Sequence, residues 1–185
     1  MKKRTIALLC AAMMVVGIAA GGTLAWLVAA SAPVTNTFTT SDIDITLTET
    51  TGDEYKMVPG YTIEKDPTVT VKANSEKSYL FVKLEKQNDF DEFMTYGMAD
   101  GWTELTTGSG IYYRVVDAST SDQPFAVLKD NQVVVKDEVT KEDMDVLTSA
   151  TYPKLIFTAY ASQYMKDNDT PFSAAEAWAN ANPTT

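Results

Sequence analysis

Beyond its first 40 residues the chain alternates apolar and polar side chains with a period of two, the mark of strands buried on one face. Ile43, Ile45 and Leu47 share one face of a first strand over 42–48. Val69, Val71 and Ala73 alternate with Thr68, Thr70 and Lys72 in a strand opened by Pro67, where a missing N–H is tolerated. Residues 79–84 are apolar on both faces except at Lys83, which predicts a central strand covered on both sides. Residues 111–116, 125–128 and 132–135 read as strands, the last two joined by a tight hairpin at Asp130-Asn131. The strongest strand pattern follows Pro153: Leu155, Phe157, Ala159 and Ala161 fall on one face, Ile156, Thr158 and Tyr160 on the other. Turn signals stand at Thr51-Gly52-Asp53, Pro59-Gly60, Asn74-Ser75-Glu76 and Thr107-Gly108-Ser109-Gly110.

The period changes to a helical one in three short stretches. In 88–96, Phe90, Phe93 and Met94 share a face, with Asn88 as the cap and Gly97 as the stop. In 140–147, Thr140 caps and Val139 packs on Met144 as a staple. Ser173-Ala174-Ala175-Glu176 is a capping box that starts a helix through Ala181, with Trp178 as its anchor. Strands dominate, helices sit only in connections, and strand and helix do not alternate. Two packed antiparallel sheets satisfy that pattern.

The opening of the chain differs from all of this. Lys2, Lys3 and Arg4 precede an uncharged run from Thr5 to Ala30, followed by small residues, which is the pattern of an export signal. Thr23-Leu24-Ala25 offers small side chains one and three residues before a cut at Trp26, and Val28-Ala29-Ala30 offers them before Ser31. Ala30-Ser31-Ala32 ranks behind both, because Pro33 follows it. The run is also long enough to span a bilayer, which takes ~20 apolar residues, so an uncut anchor is the competing reading. Gly17, Gly21 and Gly22 weaken such a helix. Cys10 lies mid-run after bulky Leu9 and reads as apolar filler, not as a lipidation site. After the signal, Val34, Asn36 and Phe38 share one face of an extended arm.

Charge and missing residue types narrow the chemistry. Removal of residues 1–25 leaves 12 cations against 25 acids, a net charge of −13. Such a surface repels nucleic acid and anionic lipid. The only cysteine is Cys10, so the remainder has no disulfide scaffold. Histidine is absent throughout, which removes His-based zinc sites, Ser-His-Asp and Cys-His systems and any His general base. Paired carboxylates remain at Asp89, Asp91 and Glu92, and at Asp137 and Glu138. With 25 acids such neighbours are expected by chance and read as a solvated face. Asp167-Asn168-Asp169 has calcium-loop flavour but lacks the glycine and distal Glu of an EF-hand. Tyr112, Tyr113, Trp102 and Trp178 have the surfaces to stack on sugars, but such aromatics more often pack in a core.

Several stretches together resemble the TasA/camelysin-type family. They are Gly21-Gly22-Thr23-Leu24-Ala25-Trp26, Asn36-Thr37-Phe38, Asp42-Ile43-Asp44-Ile45, Pro59-Gly60 leading to Lys65 through Val71, Tyr79 through Lys83, and Pro153 through Ala161. The resemblance implies an all-β, jelly-roll-like antiparallel β-sandwich with short helices in its connections, preceded by an N-terminal signal helix. It implies a signal peptide over 1–25, cut between Ala25 and Trp26 by a dedicated signal peptidase of the SipW type, with Thr23 and Ala25 in its pockets. It further implies secretion and assembly into extracellular biofilm-matrix fibres by donor-strand exchange, in which an arm over 26–40 completes the sheet of a neighbour's domain, 41–185. Val34 and Phe38 are the expected plugs of that arm.

Catalysis is not expected, no cofactor or metal is implied, and the metalloprotease activity ascribed to some relatives is not carried over without histidine. The partners expected are other copies of the chain, the signal peptidase and other matrix components, with nucleic acid excluded. A monomeric cell-surface or matrix module that binds a polysaccharide or a protein is the competing class. In it, the arm folds back or stays unpaired.

Overall fold

The computed structural model describes residues 42–52 and 55–182. The expected signal, its cleavage residues Thr23, Ala25 and Trp26, and the plugs Val34 and Phe38 lie outside the described residues. What is described belongs to one compact unit, Thr40–Thr185. It is an all-β domain of three antiparallel sheets with three short helices.

The strands are β1 (Ile45–Thr48), β2 (Thr62–Glu64), β3 (Thr68–Val71), β4 (Ser78–Gln87), β5 (Met94–Met98), β6 (Thr103–Glu104), β7 (Ile111–Val116), β8 (Gln123–Ala126), β9 (Leu128–Val135) and β10 (Lys154–Gln163). The helices are α1 (Phe90–Phe93), α2 (Lys141–Asp145) and α3 (Ala174–Ala181). The sheets run β10-β4-β7-β6, β1-β3-β8 and β2-β9-β5. All three contribute to one core: Val69 and Val71 from β3, Leu80, Val82 and Leu84 from β4, Val116 from β7, and Leu128, Val133 and Val135 from β9.

Strand β4 is the centre, as its two-faced apolar run requires. Leu80, Phe81 and Val82 are wholly buried, and β4 pairs with β10 on one side and β7 on the other. Its odd-numbered residues Tyr79 and Phe81 face away from the main core into a second cluster, closed by Ala177 and Trp178 of α3. Helix α3 exists because Ser173 and Glu176 form the expected reciprocal capping box. The chain before it doubles back, with the Phe172 N–H donating to the Tyr164 carbonyl, and the Tyr79 hydroxyl donating to the Phe172 carbonyl at 2.9 Å. That loop places the helix over the outer face of β4.

Four sequence expectations need correction. The runs 125–128 and 132–135 are not the two arms of a hairpin: β8 pairs with β3, and β9 runs from 128 to 135 between β2 and β5. Asp130 and Asn131 do take left-handed φ values of 54° and 53°, which Asx residues tolerate. There they serve as a slip in register against β5, and the Asn131 carbonyl accepts from the Lys65 N–H at 2.8 Å. The helix over 88–96 is a single turn, and Met94 already belongs to β5, where Met94, Tyr96 and Met98 turn inward with a period of two. Asn88 does not cap it, since its amide donates to the carbonyls of Ala150 and Tyr152. The second helix is likewise short, 141–145, although Thr140 and Asp143 form its capping box. Strand β2 follows the Pro59-Gly60 turn and is too short, at three residues, for periodicity to mark it.

Candidate functional site

In an all-β domain the unpaired backbone of a sheet edge is one chemistry offered to a partner. The edge strands are β1, β8, β10, β6, β2 and β5. Five of these are two to five residues long, and short edges recruit poorly. Strand β10 is different. It has ten residues and pairs along its whole length with β4, from Lys154↔Gln87 to Gln163↔Ser78, without a bulge. Among the described residues nothing pairs with its other side.

The residues of β10 lack the usual edge defences. Lys154 is its one charge, and from Leu155 to Gln163 there is no charge, proline or glycine. Its inward side chains, Leu155, Phe157, Ala159 and Ala161, pack on the main core but are only partly buried. Its outward Ile156 is 38% exposed. The wholly buried residues of β4 next door show what a covered strand looks like in this domain. Ala159 and Ala161 are small and only partly buried, whereas the core residues they pack on are buried.

Strand β1 comes within 8 Å of β10, Cα to Cα, without hydrogen-bonding to it. Two ladder spacings amount to about 9.5 Å.

Beside β10 lies a polar knot whose residues sequence reading marked only in part, with Thr51 in a turn. The Asp66 carboxylate accepts hydrogen bonds from the N–H groups of Thr50 and Thr51, at 2.8 and 3.1 Å, and from both hydroxyls. The Thr50 hydroxyl and N–H contribute most, and together these donors hold the carboxyl at about 2 against an ordinary 3.8. Beside it Lys65 pairs with Glu49, and its ammonium lies 5.0 Å from the Tyr55 ring centroid and 5.7 Å from that of Phe157 on β10. The signal for this knot was present in Glu49-Thr50-Thr51 and Lys65-Asp66, but nothing local reveals that the two segments meet.

Most of the other candidate residues settle into packing or local turns, while Glu92 and Glu138 line one surface pocket with Asp143. Trp102 packs against the main core and donates its indole N–H to the Ala126 carbonyl at 2.8 Å. Tyr112 is partly buried on the same core, while Tyr113 and Trp178 pack on Phe81. Asp91 pairs with Lys86 at 2.8 Å, and Glu138 lies 3.9 Å from Lys136. Asp167 spends its carboxylate on the N–H groups of Asp169 and Thr170. Among the described residues no three acidic, histidine or cysteine side chains converge as metal ligands, and no helix is long and apolar enough to cross a membrane.

No protein-family model matches the chain, and no curated protein or solved structure is significantly similar to it.

Proposed function

We propose that this chain is a secreted structural subunit of a bacterial matrix, whose arm over 26–40 adds as a strand to the β10 edge of another copy. The observation that carries the reading is the ten-residue outer edge of β10, uncharged over nine residues, with inward side chains that are only partly buried. Strand addition satisfies its N–H and C=O groups, and alternate side chains of the incoming strand fill the gaps. Val34 and Phe38 are the side chains assigned to those gaps. A head-to-tail contact of this kind leaves a free arm on the subunit at one end of the assembly and a free edge on the subunit at the other, so it propagates as a filament. The resemblance to the TasA/camelysin-type family favours the same reading and adds to it a jelly-roll-like strand order, cleavage between Ala25 and Trp26 by a dedicated signal peptidase, and extracellular biofilm fibres as the product.

The competing reading, a monomeric surface or matrix module, draws on the closeness of β1 to β10. An arm that leads straight into β1 has a short route back onto its own β10 edge. Protein beginning at Trp26 and protein beginning at Thr39 distinguish the two. The first is expected to form filaments by negative-stain electron microscopy and the second to stay monomeric. Monomers from both, together with a lower melting temperature for the shorter one at every concentration, would assign the arm to its own domain.

A further inference from the structure

Arg114 is the only arginine beyond Arg4, and like Lys56, Lys129 and Lys154 it makes no ion pair among the described residues. Eight ion pairs join the described residues, and every one uses lysine. Arg114 has no described carboxylate within 4.0 Å, in a chain of 25 acids. It projects from β7 toward two aromatic rings. Its guanidinium carbon lies 4.0 Å from the Phe125 ring centroid and 5.5 Å from that of Trp102. The indole is held in turn by its hydrogen bond to the Ala126 carbonyl. Backbone closes in beside it at Gly101, where φ is +88° and a Cβ would come within 2.9 Å of Nη2. Nε is buried and has no hydrogen-bond partner.

Packing alone does not explain this choice of residue. Methionine or leucine would fill the same slot without an unmet donor, and a buried donor without a partner is costly. Burial already makes the charged form harder to keep, lowering the guanidinium from its ordinary value. What arginine offers beside these two rings is a flat cation whose N–H donors lie in one plane and make no hydrogen bond to the described residues. That fork matches the two oxygens of a carboxylate.

We propose that Arg114 is a receptor for a carboxylate, supplied by a small acid in solution or by an Asp or Glu side chain of a second copy. The proposal is independent of strand addition at β10, since Arg114 stands on β7, separated from β10 by β4.

The test uses 15N-labelled full-length chain, whose two arginine Nε–H resonances are told apart by Arg114→Met, with Arg4 as the internal control. Exchange of chloride for acetate at fixed ionic strength is expected to move the Arg114 signal saturably while Arg4 stays put. A shift that instead appears as protein concentration rises, and that acetate competes away, identifies the second copy as the source. Acetate is also expected to raise the melting temperature of the native chain and of Arg114→Lys, by less in the lysine variant, and not of Arg114→Met. An Arg114 signal that tracks Arg4 and ignores both acetate and protein concentration would overturn the proposal. So would an Arg114→Met chain that gains as much from acetate as the native one does.

Discussion

At the scale of single residues, the most informative groups are those that sequence reading passed over. Asp66 reads as one letter of a strand start, yet it ties two distant segments together beside β10. Its consequence is a pH dependence with a definite sign. The folded carboxyl, at about 2, sits below its ordinary 3.8, so its contribution to stability is fully present above pH 3.8 and is lost as pH falls through 2. Asp122, Asp143, Asp167 and Glu176 are lowered in the same direction by their own hydrogen bonds, so the whole domain weakens in acid. The share belonging to Asp66 is isolated by difference. Asp66→Asn is expected to melt lower than the native chain at pH 6, with the gap closing by pH 2. A gap that stays constant from pH 6 to pH 2 would remove the carboxylate from the account. Asn88 and Arg114 carry the same lesson: their residue types suggest a cap and a surface cation, and only tertiary neighbours decide otherwise.

At the scale of elements, legibility followed the reach of local chemistry. Both capping boxes depend on residues three apart, and both stand where the sequence puts them, at Thr140 and Ser173. The central position of β4 was legible because a strand covered on both faces must be apolar on both. The pairing of β8 and β9 was not legible. An Asp-Asn pair sets two left-handed residues, but whether the flanking runs meet each other or different strands is decided by the whole sheet. Helix α3 lends itself to a direct measurement. Its eight residues are too few for a stable isolated helix, so it depends on its cap and on the aromatic cluster beneath it. Ser173→Ala is expected to cost about 1 kcal/mol in chemical denaturation, with Trp178 emission shifting toward that of exposed indole before the main transition. Coincident native and variant curves would show that Ala177 and Trp178 hold the helix without the cap.

At the scale of the molecule, the open question is what covers β10, and complementation answers it with the domain and the arm as separate pieces. A covered edge is a bound state, and a ligand that binds only the folded form raises the melting temperature as its concentration rises. A synthetic peptide of residues 26–40 is therefore expected to stabilise protein beginning at Thr40, the start of the compact unit, in a saturable way. Peptides carrying Val34→Asp or Phe38→Asp are expected to do so far less, because a charge would enter an apolar gap. Salt adds a second axis. Peptide 26–40 carries no charge, so its binding is expected to vary little with ionic strength. Contact between whole subunits brings together surfaces of net charge −13, and filament growth is expected to quicken as screening rises toward 0.15 M, where the Debye length is about 8 Å. Stabilisation by the Asp-bearing peptides equal to that by the native one would show that the arm adheres without registering on the edge. No stabilisation at any concentration would leave β10 to a different partner.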